Sequence, residues 1–161
     1  MGNSLLRTDR EFFELYERHV DMVFRICFAF MKNQAEAEDA VQDVFVKLLT
    51  SGKRFDGEAH EKAWLIVTTA NHCKNRIRRL RKEREIVGEG MEEEPGGFDV
   101  DEMLQVILDL PEKYKLPLYL YYYEGYSCAE AAKILRISGT AFRTRLKRGR
   151  EILKKDIALE D

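Results

Sequence analysis

The chain contains few of the residues that interrupt helices or build disulfide and metal sites. Its 161 residues include three prolines, at positions 95, 111 and 117, and three cysteines. Because proline is the strongest breaker of helices, long helices are possible over most of the chain. The cysteines (Cys27, Cys73 and Cys128) are odd in number and scattered, with no CxxC or Cys/His spacing. This pattern predicts free thiols in a reducing cytosol, and neither a disulfide framework nor a metal site.

Long apolar runs and phosphate-binding glycine loops are also missing from the sequence. The most apolar window, residues 22–31, contains Arg25 and is too short to cross a bilayer. No secretory signal pattern opens the chain, so we expect a soluble, cytoplasmic protein without membrane insertion. No alternating β-branched run, nucleophile–base pair or regular glycine-rich loop stands out. The sequence therefore argues against a β-sheet fold and against an enzyme, and we expect no cofactor.

Charge is strongly segregated, although the formal net charge is only −2. Residues 74–84 hold seven Lys or Arg and residues 143–155 hold seven more, whereas residues 85–102 hold eight Asp or Glu and no cation. Outside that acidic stretch, 27 cationic side chains stand against 21 acidic ones. Since local charge sets the surface potential, the two basic segments make nucleic acid the first partner to consider.

Apolar residues recur at helical spacing, which predicts an all-α fold of two small helical domains. Residues 1–84 form the first, with capping boxes at Thr8/Glu11 and Asn33/Glu36 and with Gly52 ending the second helix. The inward side of the third helix is predicted as Ala63, Trp64, Val67, Ala70 and Ile77. Residues 85–100, acidic and glycine-bearing, predict a flexible linker; an ordered loop packed between helices is the alternative.

The second domain, residues 101–161, ends in a helix-turn-helix pattern at 127–150. A capping box at Asp99/Glu102 precedes its first helix, and Pro117 should bend a later helix or shift its start. Ser127 and Ser138 can cap the two helices of the motif, whose second helix is mainly Arg and Lys on its exposed side. Such a helix suits the major groove of DNA. A helical hairpin with a solvated basic face is the alternative.

Short motifs follow one another in a fixed order along both halves. They are EDAVQDVF at 38–45, RFDG at 54–57, WL at 64–65 with Asn71 beyond, LPEKY at 110–114, YYEGYS at 122–127 and RTRLKRGR at 143–150. In these motifs the sequence resembles the extracytoplasmic-function (ECF) sigma factors, two-domain initiation factors of bacterial RNA polymerase. The resemblance covers nearly the whole chain except the linker and the ends. It implies that the chain binds core RNA polymerase and promoter DNA, with an anti-sigma factor as a possible further partner.

The resemblance assigns core-polymerase binding to Asp39, Gln42 and Asp43. In the family this acidic helix face docks on a coiled coil of the largest polymerase subunit. Asp39 and Asp43 lie one helical turn apart, where carboxylates can meet arginines of a partner. By spacing alone, such a pair usually lines a solvated face, and the resemblance favours docking instead. An acid–base pair fits less well, because no nucleophile or metal ligand accompanies them.

The −10 promoter element is assigned to Arg54, Phe55, Asn71, Lys74 and Arg78. In the family, the loop at 51–61 and the asparagine open this element and hold a flipped base, whose edge an amide can both donate to and accept from. Phe55 either lines a base pocket or anchors the loop. Trp64 is predicted in the core, with a base-stacking platform as the alternative. The phosphate-facing surface is predicted to include also Arg76, Arg79 and Arg81.

The −35 element is assigned to Arg143, Thr144, Lys147 and Arg148, since arginine can contact guanine in a bidentate manner. The chain departs from the family pattern nearby. Arg136 stands where the turn usually has glycine, at a cost of roughly 1–2 kcal/mol if the backbone is left-handed. Gly149 stands for alanine inside a helix, at about 1 kcal/mol. Ala141 and Phe142 replace a threonine and a smaller aliphatic residue.

Two other functions compete with this interpretation. One is an autonomous helix-turn-helix regulator that binds an operator without polymerase. The other is a helical protein-binding adaptor whose basic faces meet acidic partners. Neither gives the motifs of the first half a function.

Overall fold

The structure, a computed structural model, describes residues 9–87 and 101–160, without the side chains of 86, 87 and 156–160. Its helices are α1 (Asp9–Met31), α2 (Gln34–Ser51), α3 (Glu58–Val87), α4 (Glu102–Leu108), α5 (Glu112–Leu118), α6 (Cys128–Leu135) and α7 (Gly139–Glu160), with a π-helical turn at Tyr119–Tyr123. The chain divides into two compact units, Met1–Phe98 and Asp99–Asp161. The all-α prediction is confirmed. Within the described ranges, no helix is long and apolar enough to cross a membrane.

The first unit is a bundle in which α1, α2 and α3 each pack against the other two. Its core contains small and aliphatic side chains at helical spacing: Val23, Ile26, Cys27, Ala40, Val44, Leu48, Leu65, Ile66, Ala70 and Cys73. A polar contact joins α1 to the start of α3, where the buried Glu61 carboxylate lies 2.6 Å from His19 Nε2 and accepts a hydrogen bond from Arg18 at 3.0 Å. The start of the third helix is thereby held against the first.

The caps of α2 are formed largely as predicted. The Asn33 side chain accepts a hydrogen bond from the Glu36 amide at 2.9 Å, and Gly52 ends the helix with φ at 63°. The predicted capping box is only half formed, because the Glu36 carboxylate turns instead to Arg76 on α3. The predicted cap at Thr8 lies outside the described residues.

Helix α3 differs from the prediction in its end and in its inward face. It runs to Val87, three residues into the predicted linker, and residues 88–100 lie outside the described part. Ala70 and Ile77 are buried as predicted, but Ala63, Trp64 and Val67 are only half-buried. The buried side is completed by Leu65, Ile66, Thr69 and Cys73. Because residues 63–67 are all apolar or nearly so, composition there does not fix the rotation of the helix.

In the second unit, Pro117 sits inside α5 and the helix changes character just after it. Proline lacks the amide that would continue the ladder, and the next turn is π-helical, with the Glu124 amide donating to the Tyr119 carbonyl at 3.1 Å. The wide turn therefore begins two residues after the proline. Upstream, Asp101 caps α4 by accepting from the Leu104 amide at 2.8 Å, so the predicted cap at Asp99 is wrong.

The helix-turn-helix is formed by α6 and α7, which pack together while α5 packs on α7. Ser127 and Glu130 form the complete capping box, and hydrogen bonds from the Ser127 backbone and hydroxyl lower the pKa of Glu130. Ser138 accepts from the Ala141 amide at 3.0 Å at the start of α7. Phe142 and Leu146 are buried beneath the second helix. The two caps predicted at Ser127 and Ser138 are confirmed.

Gly149 has a packing role that its low helix propensity alone does not predict. It is buried on α7, and a Cβ built on it would lie 2.5 Å from Cδ1 of Leu118 and 3.4 Å from Cβ of Tyr114. Real carbon atoms do not approach so closely without contact overlap. The glycine thus lets α5 and α7 approach each other, and the cost of about 1 kcal/mol in helix propensity is offset by this packing.

Candidate nucleic-acid and protein interfaces

The three residues predicted to bind polymerase share the outer side of α2. The side chain of Asp39 is 63% exposed and that of Asp43 is 49% exposed, and Gln42 is exposed between them. The same side of the helix continues into Val46 and Leu49, two apolar side chains that are also exposed. Along α2, the exposed surface is therefore acidic at Asp39 and Asp43 and apolar further toward the C-terminal end of the helix.

Arg76 of α3 reaches across to this acidic surface. Its Nε and Nη2 donate to Glu36 Oε2 at 3.0 and 2.7 Å, and its Nη1 donates to Asp43 Oδ2 at 3.1 Å. A longer contact of 3.4 Å joins Nη2 to Asp39 Oδ2. Burial lowers the pKa of Arg76, but the hydrogen bonds and charge of Glu36 and the two aspartates outweigh it and raise the pKa overall.

This contact corrects the prediction that Arg76 faces phosphate. Its side chain is only 18% exposed and is surrounded by three carboxylates. Among the described residues, every recorded contact of Asp39 and Asp43 uses Oδ2. Arg76 therefore fixes one oxygen of each aspartate and leaves Oδ1 of each to other donors.

His72 lies next to the same cluster, in a buried position on α3. Its Nδ1 accepts a hydrogen bond from the Lys47 ammonium at 3.0 Å, which places the ring proton on Nε2. Nε2 lies 3.2 Å from Asp43 Oδ2 but is poorly aligned for a hydrogen bond. Burial, followed by the charge of Lys47, lowers the pKa of His72 below its ordinary value of 6.5. The imidazole is therefore neutral at pH 7.

The loop between α2 and α3 is anchored by Phe55. Its ring lies 5.6 Å from the Trp64 ring at an interplanar angle of 57°, and 5.2 Å from the His60 ring, edge to face. Such tilted and edge contacts are the favoured geometries for aromatic pairs. Phe55 and Trp64 are each half-buried, so the loop is anchored while part of both rings remains accessible. The prediction that Trp64 belongs to the core is only partly met.

Asn71, Lys74 and Arg78 form a stripe along α3, at spacings of three and four residues. Asn71 and Arg78 are exposed and Lys74 is half-buried. Trp64 precedes Asn71 by seven residues, which is two helical turns on the same side. The structure thus brings the helix residues of the predicted −10 site together and sets the Phe55 loop at their N-terminal end. Arg54 is exposed in that loop.

A pocket of about 290 Å³ opens on the other side of Phe55, against α1. Its wall carries four carboxylates and two guanidinium groups: Glu11, Glu14, Glu58, Glu61, Arg18 and Arg54. Four carboxylates repel a phosphate. The DNA backbone is thus better matched by the α3 stripe than by this pocket.

On α7, Arg143, Thr144, Lys147 and Arg148 are all exposed. The Thr144 hydroxyl donates to the Thr140 carbonyl at 2.9 Å, so its proton is used within the helix. Arg143 and Lys147 are one turn apart, as are Thr144 and Arg148, and the four residues form one continuous patch.

Arg150, on the same helix, has a partner within its own unit. It hydrogen-bonds the Tyr122 hydroxyl and lies 5.5 Å from the ring centres of Tyr121 and Tyr122. The hydrogen bond to Tyr122 raises the pKa of Arg150. This arginine is fixed on α7 by the tyrosines of the π-helical turn.

Sequence reasoning missed the cluster of Glu36, Arg76, His72 and Lys47. Glu36 had an alternative role as a capping residue, and Arg76 stood in a run of seven cations. A signal existed in the spacing of Glu36, Asp39 and Asp43, which places three carboxylates on one side of α2. Nothing local to the sequence indicates which cation of α3 meets them.

Comparison with known proteins agrees with this architecture. The family profile of Sigma-70 region 2 matches residues 15–83, and that of Sigma-70, region 4 matches residues 101–153. SigW of Bacillus subtilis, an ECF RNA polymerase sigma factor, is 27% identical over 165 residues, which cover 91% of this chain and 88% of SigW. SigX of the same organism, also an ECF RNA polymerase sigma factor, is 27% identical over 169 residues, covering 90% and 82%.

Two solved structures share the fold. RpoE of Bartonella quintana, in complex with the anti-sigma factor NepR, has a TM-score of 0.72 at 19% identity, covering 94% of this chain and 99% of RpoE. CnrH, in complex with the cytosolic domain of CnrY, has a TM-score of 0.70 at 23% identity, covering 99% and 96%. With its helix-turn-helix and its two matched regions, the chain belongs to the sigma-70 family. Within that family it is an ECF sigma factor, an alternative sigma factor that directs transcription initiation.

Proposed function

We propose that this sigma factor docks on core RNA polymerase through the outer side of α2 and contacts promoter DNA through α3 and α7. The observation that carries the proposal is the placement of oppositely charged surfaces on adjacent helices of one unit. The acidic surface at Asp39 and Asp43 suits a cationic protein partner, and the stripe at Asn71, Lys74 and Arg78 suits a nucleic acid. An autonomous DNA-binding regulator has no use for the first surface.

The docking step rests on the chemistry of the α2 surface. Asp39 and Asp43 each keep Oδ1 for an incoming guanidinium, while Arg76 holds Oδ2 in place. Charge-assisted hydrogen bonds of this kind contribute about 1.5–3 kcal/mol each. Gln42 adds an amide between the carboxylates, and Val46 and Leu49 offer apolar area that a bound partner can cover.

At the −10 element, the chain performs no covalent chemistry, because strand opening needs only preferential binding of the separated strand. Asn71 presents an amide to the edge of an unstacked base. Lys74 and Arg78 continue the stripe with cations for phosphates. The accessible parts of Phe55 and Trp64 provide aromatic surface for stacking, which contributes about 1–3 kcal/mol per base. In this role Phe55 both anchors the loop and meets DNA.

At the −35 element, α7 lies in the major groove and presents Arg143, Thr144, Lys147 and Arg148. Arginine can contact guanine in a bidentate manner, with about 1–3 kcal/mol of discrimination for each good pair. Because Thr144 uses its hydroxyl proton within the helix, it contacts DNA as an acceptor or through its methyl group. The cations that do not read bases bind phosphates.

This role makes the protein a regulator rather than an enzyme and places it in the cytoplasm, where polymerase acts. The RpoE of known structure is bound to an anti-sigma factor, and we extend that class of partner to this chain. The binding of such a partner to either unit would compete with polymerase or DNA.

The test combines purified chain, core polymerase and a library of promoter fragments. Gel filtration should show the chain eluting with core polymerase without DNA, and run-off transcription should yield discrete start sites. An autonomous regulator would bind duplex DNA without polymerase and give no run-off product. An adaptor would join a protein partner and give neither DNA binding nor product.

A further inference from the structure

The turn of the helix-turn-helix holds an arginine in a conformation that arginine rarely adopts. Arg136 has φ at 56° and ψ at 44°, the left-handed region. It follows the end of α6, where its amide bonds the Lys133 carbonyl and the Ile137 amide bonds the Ala132 carbonyl. This pair of bonds is the Schellman motif, whose left-handed position is usually glycine. A side chain with a Cβ is strained here, whereas glycine is not.

No contact with the described residues of the second unit offsets the strain at Arg136. Its side chain is exposed and makes no hydrogen bond, ion pair or ring contact with the described residues. Residues 131–150 contain seven Lys or Arg and no Asp or Glu. The nearest carboxylate before this stretch, that of Glu130, is used in the capping box. Arg136 is thus a cation at a strained position that meets no anion among the described residues.

The surroundings of the turn indicate where such an anion would lie. Arg143, the first residue of the predicted −35 set, extends back along α7 toward the turn. Its Nη1 lies 3.1 Å from the position that a Cβ on Gly139 would take, and its Nη2 lies 3.4 Å from Thr140 Oγ1. The start of α7 therefore carries one guanidinium from Arg143, and Arg136 adds a second cation three residues before Gly139.

We propose that Arg136 binds a phosphate of the DNA backbone beside the −35 element. In a helix-turn-helix the first helix crosses the backbone and the start of the second enters the major groove. The turn that joins them is therefore next to phosphates. Strained backbone positions cluster at functional sites, and an arginine supplies a phosphate contact that glycine cannot. The inference rests on the proposed function only in that α7 contacts DNA.

The first measurement is the salt dependence of DNA binding by the full-length chain, with a random-sequence 30-bp duplex as the probe, in roughly 50–200 mM salt. Arg136→Gly and Arg136→Asn should each reduce the slope of log K against log salt by about 0.9, the value for one phosphate contact. Arg136→Lys should keep the slope. Over this range the wild type should then lose roughly threefold more affinity than the two uncharged variants.

The second measurement is thermal stability, which moves in the opposite direction. Glycine and asparagine tolerate the left-handed region, so Arg136→Gly and Arg136→Asn should raise the Tm of the second unit. Arg136→Lys should not. A purely structural arginine would not combine weaker DNA binding with a higher Tm in the same variant.

Lys32 offers a matched control in the other unit. It is also a cation with a left-handed backbone, with φ at 55°, at the end of α1. Lys32→Gly therefore removes the same charge from the same kind of backbone position. The salt slope of this variant should equal that of the wild type.

Three results would overturn the inference. They are an unchanged slope in both uncharged variants, an equal change in Lys32→Gly, or no salt-dependent DNA binding by the wild type at all. A loss of affinity for core polymerase with an unchanged salt slope would also overturn it, because Arg136 would then contact protein. Run-off transcription by the wild type reports separately on the proposed function, which can hold while the inference fails.

Discussion

Nη1 of Arg76 on α3 lies 3.1 Å from Oδ2 of Asp43 on α2. A cation from the segment that we assign to DNA thus neutralises part of the surface that we assign to polymerase. Because both surfaces depend on this contact for their relative position, a change at Arg76 should affect each of them.

Replacing Arg76 by methionine should lower the free energy of unfolding by about 1–3 kcal/mol, because charged hydrogen bonds are lost and three carboxylates remain together. Urea unfolding of the full chain measures this. Arg79→Met is the control, since Arg79 is exposed on the same helix and should change stability by less than about 0.5 kcal/mol. Equal stability of the two variants would contradict a role for the cluster.

Asp39 and Glu36 should separate docking from stability. Asp39 is mainly exposed and contacts Arg76 only at 3.4 Å, whereas Glu36 accepts two short hydrogen bonds. Asp39→Asn should weaken binding to core polymerase by about tenfold or more and leave unfolding nearly unchanged. Glu36→Gln should lower stability with a smaller effect on binding. The reverse outcome would remove Asp39 from the docking surface.

Asn71 and Asn75 are both exposed on α3, one turn apart. If Asn71 holds an unstacked base, Asn71→Ala should slow promoter opening, as measured by permanganate reactivity of the melted strand. Asn75→Ala should alter opening much less. Equal effects would indicate a general loss of helix surface rather than a base contact.

The pH dependence of stability should include a contribution from His72. Its pKa is lowered in the folded chain by burial and by Lys47, while Asp43 opposes the shift and Arg76 adds to it. The unfolded chain therefore binds this proton more readily, and folding stability should fall as pH decreases from about 6.5 through the folded-state pKa. Urea unfolding from pH 7.5 to 5 measures the slope.

Replacement of His72 gives the control for that experiment. His72→Gln should flatten the fall in stability between pH 6.5 and 5. A wild-type slope that survives in His72→Gln would assign the proton uptake to another group.

Gly149→Ala tests the close approach of α5 and α7. Alanine gains about 1 kcal/mol in helix propensity, but its Cβ would overlap Leu118, and overpacking costs about 1–3 kcal/mol. We expect a net loss of roughly 1 kcal/mol. Leu118→Val should cost less in the alanine background than in the wild type, as a double-mutant cycle would show. A more stable Gly149→Ala would indicate that Leu118 moves aside freely.

Local signals in the sequence located most helix ends. Asn33, Gly52, Ser127 and Ser138 lie at the caps or ends where their side chains or backbones suggest, because capping involves residues only a few positions apart. Arg136, at the position where the family pattern has glycine, adopts the left-handed conformation. Asp101 took the cap expected at Asp99, a shift of two residues within one acidic cluster.

Tertiary relationships were less accessible from the sequence. The rotation of α3 depends on which of its several apolar residues pack against α1 and α2. Leu65 and Ile66 are buried, whereas the predicted Ala63 and Val67 are only half-buried. The pairing of Arg76 with α2 depends on helix packing, since the two elements are about forty residues apart. The packing role of Gly149 depends on Leu118, which lies opposite it on α5, and the sequence does not show that the two residues meet.

Cys27 and Cys73 face each other in the bundle of the first unit and are both wholly buried. A hydrogen bond between them, followed by burial, raises the pKa of the Cys27 thiol. Because thiolates are the reactive species, oxidants and alkylating reagents should meet the partly accessible Cys128 first. Modification of Cys27 or Cys73 then identifies molecules in which the three-helix bundle has opened. The two buried thiols therefore report the unfolding of the first unit.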